Sequence, residues 1–579
     1  MEQRIFDLLR NQRMLLIVLV IAGGHFVWMM DFFEPAISSP DANGYFAQAQ
    51  LIATEGRTWF SPESLLQYVG GHWIDTGDGR FFSRYPPGLP IIASVFFAVA
   101  GHEAALLVNP VLTSFTLLGL FLLCGLWIGD RWAVLAVVAM VFNPVVNSRA
   151  LTHDAHAAVA FFLIWGLYLI ARWSVSKSVV VAFFAGLFLG MIPTVRYPEG
   201  LFGFAIALFV LNSVYEDRKS VIAAITGALI PVGALMVRNH YAFGGFWKTG
   251  YSLTNEQTGF AWSYFVAHGP QYLQNILGEG VGVFAALGVF GMALLCAQHS
   301  TRRYGLLLTG LVLPTTLLYM AYYFMMGDGV VSLRFLLPTF YLYVIAGMWG
   351  LKLMRDAMGQ SVYVGVAAVM VVTVFWGYPQ SAQTLARLEK TNGVLAAISQ
   401  TVQEQVKSGE VVIAPGGIQQ HLNFVGNWRL IESSIFLEPR DMSRMVDRFG
   451  GSDMPNPMGH AVGRREAQAQ YWDETMYGPS SRLFEDLNTW AGGAVYWVGT
   501  YEEMMAHVPT SDSLQVVAKI ELPRVEDAES RRGRGRRGGG MPDGFRGGPP
   551  AGGRGGPMPA FSGNENLLLA KWIPHSAGS

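Results

Sequence analysis

Charge is scarce in this chain. Only 14% of its 579 residues are Asp, Glu, Lys or Arg, against about a quarter in a soluble globular domain. That excludes a conventional water-facing surface over most of its length. Cysteine is scarcer still: there are two, Cys124 and Cys296, each inside an apolar run. A disulfide framework is excluded, and each thiol reads as a small packing residue. An excess of one sign of charge is missing too. Lys plus Arg number 40 and Asp plus Glu 41, for a net charge of −1, so bulk charge names neither a nucleic acid nor an acidic partner.

What the chain has in abundance is apolar sequence, 52% of all residues. It is gathered into runs long enough to cross ~30 Å of hydrocarbon at ~1.5 Å per residue. Backbone polar groups in lipid must pair internally, so helices are the expected spans. The reading is a polytopic α-helical membrane protein with about eleven spans. The first, from Met14 to about Phe33, follows Arg4, Arg10 and Arg13. Bulky Phe26, Trp28 and Met29 stand where a signal-peptide cleavage site would need small residues. An uncleaved anchor with a cytoplasmic N-terminus is expected.

The run 86–101 begins Pro-Pro-Gly and is short for a span. If it does not cross, the loops predicted to be cytoplasmic hold nine Lys or Arg against five opposite, in the direction of the positive-inside rule. It is therefore read as a re-entrant or interfacial helix. The polar loop 34–101 and everything after the last span then lie outside the cytoplasm. The expected division is a membrane domain over 1–379, with 34–101 as its first outer loop, and a soluble α/β domain over 380–579. Glu410 to Pro415, Ala494 to Gly499, Leu514 to Leu522 and Leu567 to Ile573 read as strands. Residues 529–563, rich in Gly, Arg and Pro, read as a disordered insertion between the last two. Its seven arginines resemble an RNA-binding tract, but no nucleic acid is expected outside the cytoplasm.

The outer loops concentrate chemistry-bearing side chains, and ionisable groups near membrane depth mark function by default. Asp41, in Ser-Pro-Asp before a helix-like run, suits either an N-cap or a general base. Asp154 stands between His153 and His156. His-Asp-x-His is compatible with a divalent metal, and Asp154 alone is compatible with helix capping. Arg84 in SRYPPGLP and Arg334 in SLRFLLP each precede an apolar helix. A guanidinium there suits either bidentate grip on a phosphate or snorkelling. Arg196 and Lys248 lie in further outer turns on the same predicted face.

Taken in order, the Asp41 loop, DGRFFSRYPPGLP (Asp78 to Pro90), SRALTHDAHAAVAFFLIWGLYLIAR (Ser148 to Arg172), GMIPTVRYPEGL (Gly190 to Leu201), RNHYAFGGFWKTGY (Arg238 to Tyr251) and SLRFLLPTFYLYVIAG (Ser332 to Gly347) resemble a family. It is the membrane glycosyltransferases of the GT-C fold, in the subgroup of bacterial relatives of protein O-mannosyltransferases and the lipid A aminoarabinose transferase. The resemblance covers roughly residues 1–355. It implies transfer of a sugar from a polyprenyl-phosphate donor to a glycan, lipid or protein acceptor at the non-cytoplasmic face of a bacterial inner membrane. By position it implies Asp41 and Asp154 as catalytic acids, and Arg84, Arg334, Arg196 and Lys248 as donor-phosphate ligands. The family's first loop often pairs two acids, whereas Ala42 follows Asp41 here. No cofactor is required by the sequence, and a divalent metal at His153, Asp154 and His156 is compatible with it. The alternative from another class is a non-catalytic subunit of GT-C fold within a larger membrane assembly.

Overall fold

The computed structural model describes residues 2–212, 217–325, 328–415, 417–433, 487, 489–507, 513–520 and 567–573. Contacts divide the chain into two compact units. The first comprises residues 1–33, 52–54 and 85–389, and the second 34–51, 55–84 and 390–579. This cuts the chain differently from a boundary at 379/380, because most of the first outer loop groups with the C-terminal segment.

The first unit is helical. Among the described residues, seven helices are long and apolar enough to cross a membrane, and up to nine if each of two bent pairs is one span. The count of eleven read from the sequence includes the shorter apolar helices Val179–Val195 and Pro198–Leu211. α1 (Glu2–Met30) is the anchor. α3 (Gly88–Leu106) passes the length and composition test for a span, yet its backbone leaves the helical region at Ala100 and Gly101. The straight stretch from Gly88 to Val99 therefore rises only ~18 Å. α4 (Val108–Ile128) starts a few residues later than the run at 104 implied.

The bend between α5 (Asp130–Val141) and α6 (Pro144–Ala150) is 69°. Asn143 makes it tolerable: its Oδ1 accepts from the N–H groups of Val145 (3.1 Å) and Val146 (3.0 Å), and its amide donates to the Gly280 carbonyl at 2.7 Å. α7 (Ala155–Ser176) follows. α8 (Val179–Val195) and α10 (Arg218–Phe243) approach closely because both contribute glycine at the crossing. A Cβ on Gly186 would collide with the Ala224 carbonyl, and one on Gly227 with that of Phe183.

The second unit holds two sheets. The small one, in order β1-β3-β2, is antiparallel: β1 is Trp59–Phe60, β2 Trp73–Asp75 and β3 Phe81–Ser83. The larger has order β5-β4-β6-β8-β7. β4 (Val411–Ala414) lies parallel to β5 (Arg429–Glu432) and β6 (Val495–Gly499), and β8 (Leu567–Ile573) lies antiparallel to β6 and β7 (Ser513–Ile520). Four strands were legible in the sequence; β5 was not. Residues 521–566 thus connect adjacent antiparallel strands, while 529–563 itself lies outside the described residues.

Successive residues of β4 alternate between two cores, as a doubly covered strand should. Val412 and Ala414 enter one core with Ile398 and Val402 of the long helix Val362–Gln405, and Val411 and Ile413 enter the other with Leu487, Ala491 and Met504. The first core is completed by first-loop residues Ala47, Leu51, Phe60, Trp73 and Phe81. Phe424 sits at its centre, met edge-on by Phe60 (5.3 Å), Trp73 (5.5 Å) and Tyr68 (5.8 Å). The polar-looking first loop is therefore built around the hydrophobic core of the C-terminal unit.

Candidate functional site

In the second unit the site begins with α2 (Pro40–Glu55). Proline at the first helical position and Ser39 before it set the start, and Ser39 Oγ accepts from the Ala42 N–H at 3.0 Å. Ser39 thus takes the capping role that Asp41 was also suited to. Asp41 lies within the first turn, where the helix dipole favours a carboxylate. Its Oδ1 is 3.3 Å from His72 Nε2, and its side chain is 35% exposed. His72 precedes β2, and its carbonyl accepts from the Arg84 N–H at 2.9 Å, extending the β2–β3 pairing. Arg84 is buried. The hairpin turn is tied by Asp78, which binds Arg80 and Thr76 and is held well below the usual carboxylate range, chiefly by Arg80.

The start of α2 is pinned to the segment Gln420–Val425. Both amide hydrogens of Asn43 go to carbonyls, those of Gln420 (2.7 Å) and Leu422 (2.9 Å). His421 Nδ1 donates to the Ile37 carbonyl at 2.7 Å. Asn423 donates to Gln50 Oε1 at 2.7 Å, and Gln50 donates to the Val425 carbonyl at 3.1 Å. These polar groups are nearly all engaged with backbone, the arrangement that fixes orientation.

In the first unit a buried ionic cluster gathers around α6, α7 and the turn before α16 (Leu337–Met358). Asp154 caps α7, with Oδ1 accepting from the His156 N–H and Oδ2 from Arg149 Nη1, each at 3.1 Å. Arg334 also acts on this carboxylate through space. The Arg334 guanidinium lies over Phe335 at 4.7 Å, and Arg196 lies over the same ring at 4.9 Å. Tyr319 stacks on Phe335 at 4.9 Å, and its hydroxyl meets Arg196 Nη1 (2.7 Å) and Glu199 Oε1 (3.0 Å). Arg196 is ion-paired with Glu199. One aromatic ring thus serves two arginines, and Arg334 is the more accessible of them.

The cluster brings together Asp154, Arg196 and Arg334 with Arg149, Glu199 and Tyr319, which the sequence reading did not assign to the site. Arg149, five residues before Asp154, and Glu199, three residues after Arg196, were the legible signals. Lys248 is exposed on the turn after α10 and is not a member. Among the described residues no group of three or more His, Cys, Asp or Glu side chains is placed to hold a metal. Each member of the expected metal set His153, Asp154 and His156 is buried. The Asp154 carboxylate is spent on Arg149 and the helix cap, and the His156 ring packs edge-on against Phe335 at 5.5 Å. Burial pushes His153 down to about 4.

Helical membrane unit and α/β unit together define a class, a multi-pass membrane protein carrying a mixed-sheet domain. No family model matches the chain, and no curated protein matches it by sequence. Solved structures do. ArnT from Cupriavidus metallidurans bound to undecaprenyl phosphate superposes with TM-score 0.54 at 13% identity, covering 87% of this chain and 96% of ArnT. The apo form gives 0.51 over the same shares at the same identity. The apo oligosaccharyltransferase of Archaeoglobus fulgidus gives 0.48 at 13% identity, over 85% of this chain and 69% of its own. The ArnT likeness is one of fold: this chain has the GT-C fold.

Proposed function

We propose that the protein transfers a sugar from a polyprenyl-phosphate donor to an acceptor at the non-cytoplasmic face of a bacterial inner membrane. The observation that carries the reading is the cluster of Arg149, Arg196 and Arg334 around Asp154, Glu199 and Phe335. Two of its arginines, Arg149 and Arg196, are held by acids. Arg334 rests on aromatic faces and is only half-buried. A guanidinium so held is suited to a phosphate oxygen, because its planar fork of N–H donors matches phosphate geometry. The GT-C fold, shared with an ArnT that binds undecaprenyl phosphate, supports the same donor class.

The mechanism is displacement at the anomeric carbon. The half-exposed Asp41 carboxylate takes the acceptor's proton, the acceptor oxygen or nitrogen forms the new bond, and polyprenyl phosphate leaves with the bonding pair. Arg334, with Arg84 as a second candidate, balances the charge that develops on the leaving phosphate. Arg196 and Glu199 hold the aromatic platform, and Asp154 holds Arg149. Lys248 is placed on the exposed loop, where it meets donor headgroups before they enter.

The test is transfer from a purified polyprenyl-phosphate sugar by the full-length protein in vesicles, read as release of polyprenyl phosphate and labelling of the acceptor. Wild type should turn over, Asp41→Asn should not, and Arg334→Ala should need more donor. A wild type inert with every donor and acceptor pair tried, while binding polyprenyl phosphate with the same affinity as Arg334→Ala, overturns the reading.

A further inference from the structure

The sequence between α10 and α13 (Val283–Ala297) reads as one long outer loop, but it contains a 14-residue helix, α12 (Trp262–Asn275). This helix continues through one π-helical turn, Ile276–Gly280. The segment Trp262–Gly280 meets α13 at 107°, across a break in which Gly282 takes φ 55°. Glycine is the residue that tolerates this backbone. α13 is apolar and presents Val289 and Phe290 outward, as a helix in lipid does. A helix bent about a right angle from it runs close to the membrane plane.

The surface of α12 is divided three ways. At about 100° per residue, Gly269, Tyr272 and Asn275 fall together and are buried against the unit. Trp262 (73% exposed), Val266 (61%) and Leu273 (52%) fall within roughly 40° of one another on a second sector. Ser263, Gln271 and Gln274 are exposed on a third sector beside it. One face meets protein, one is apolar and outward, and one is polar and outward. Leu277 continues the apolar stripe towards the outward face of α13.

We propose that α12 is an interfacial helix seated in the outer headgroup–acyl boundary of the bilayer. Its Trp262–Val266–Leu273 sector enters lipid, and its Ser263–Gln271–Gln274 sector faces water. The occupant of the apolar sector is phospholipid because that sector is continuous with the outward apolar face of a helix of the membrane unit. Tryptophan at the first position of the helix is the residue favoured at headgroup level. This inference is independent of glycosyl transfer.

The experiment uses the full-length protein, with Cys124→Ser and Cys296→Ser, in vesicles of phosphatidylcholine and phosphatidylglycerol. Single cysteines at 262, 266 and 273, and at 263, 271 and 274, carry a nitroxide. Collision with oxygen, which partitions into lipid, is compared with collision with a water-soluble nickel chelate. The expected result is a higher oxygen-to-nickel ratio at each of the first three than at any of the second three. Because Trp262→Cys removes an anchor, Val266→Cys and Leu273→Cys decide the matter if it alone departs. Nickel access at all six places the helix in water, and oxygen access alone at all six makes it part of a crossing span. Labels in the apolar sector immobilised and shielded from both reagents place a protein there. Each of these three outcomes overturns the proposal.

Discussion

Two carboxylates, one in each unit, occupy the start of a helix, and their surroundings differ in kind. Asp154 is buried, with its side chain 6% exposed, and is taken up by Arg149 and by the first turn of α7. Asp41 leaves the capping to Ser39, keeps 35% of its side chain exposed and has its Oδ1 3.3 Å from His72 Nε2. A carboxylate locked by a buried guanidinium is expensive to disturb and slow to exchange a proton. One that is about a third exposed beside His72 is reachable by solvent and suits the general-base role proposed above. The same residue type at the same kind of position is thus locked into the architecture in one unit and, on the reading proposed above, carries proton transfer in the other.

The comparison is most directly broken at Asp41. Asp41→Asn keeps the shape, leaves the Ser39 cap untouched and removes the basic oxygen. Transfer should fall by ~10²–10⁴-fold, the usual worth of a general base, with gel-filtration behaviour and melting temperature unchanged. A variant as fast as wild type makes Asp41 another structural acid. Asp154→Ala should do the reverse and act on stability, by ~3–5 kcal/mol, because Arg149 is left buried without its partner. Thermal unfolding in detergent measures it. A fully stable, inactive Asp154→Ala would instead place Asp154 in the chemistry.

Arg334→Ala tests the cation side. Losing a charge-assisted bond to phosphate costs ~1.5–3 kcal/mol, so the donor KM should rise by about ten- to a hundredfold, with a smaller change in kcat. A fall in kcat and kcat/KM by the same factor, with KM unchanged, would assign Arg334 to the transition state alone. Acidification sharpens the contrast in the second unit. Burial lowers the pKa of His421, and its Nδ1–H is committed to the Ile37 carbonyl. The folded unit resists protonation that the unfolded chain accepts near pH ~6.5. The stability that the neutral ring contributes is complete above that pH and is lost as pH falls below it. His421→Gln should flatten the fall in melting temperature between pH 7 and 5. The smallest effect is expected at Lys248. Lys248→Ala should change donor KM less than Arg334→Ala does, and only at low salt, because an exposed cation is screened.

Sequence alone determined much of the frame. Runs of apolar residues require helices in lipid, since no other open structure pairs the backbone there, and the scarcity of charge made that reading firm. Short β-rich apolar runs gave four strands of the C-terminal sheet, and the resemblance in motif order pointed to the GT-C fold that ArnT shares. Candidate residues were legible as types: acids before helices, arginines before apolar runs. Their roles were not. Whether Asp154 is buried against Arg149, or Asp41 stands half-open beside His72, depends on which side chains arrive from elsewhere in the chain. The His72 partnership depends on a three-stranded sheet with strands of two or three residues, too short to leave a period. Ligand spacing around Asp154 says nothing of competing partners, and in the structure a guanidinium and a helix cap engage its carboxylate. Tertiary structure also decided that Ala47, Phe60 and Trp73 of the first loop share a core with Phe424. Contacts made across more than three hundred residues leave no local pattern in the sequence, because hydrophobic burial is non-directional and records what is buried but not against what.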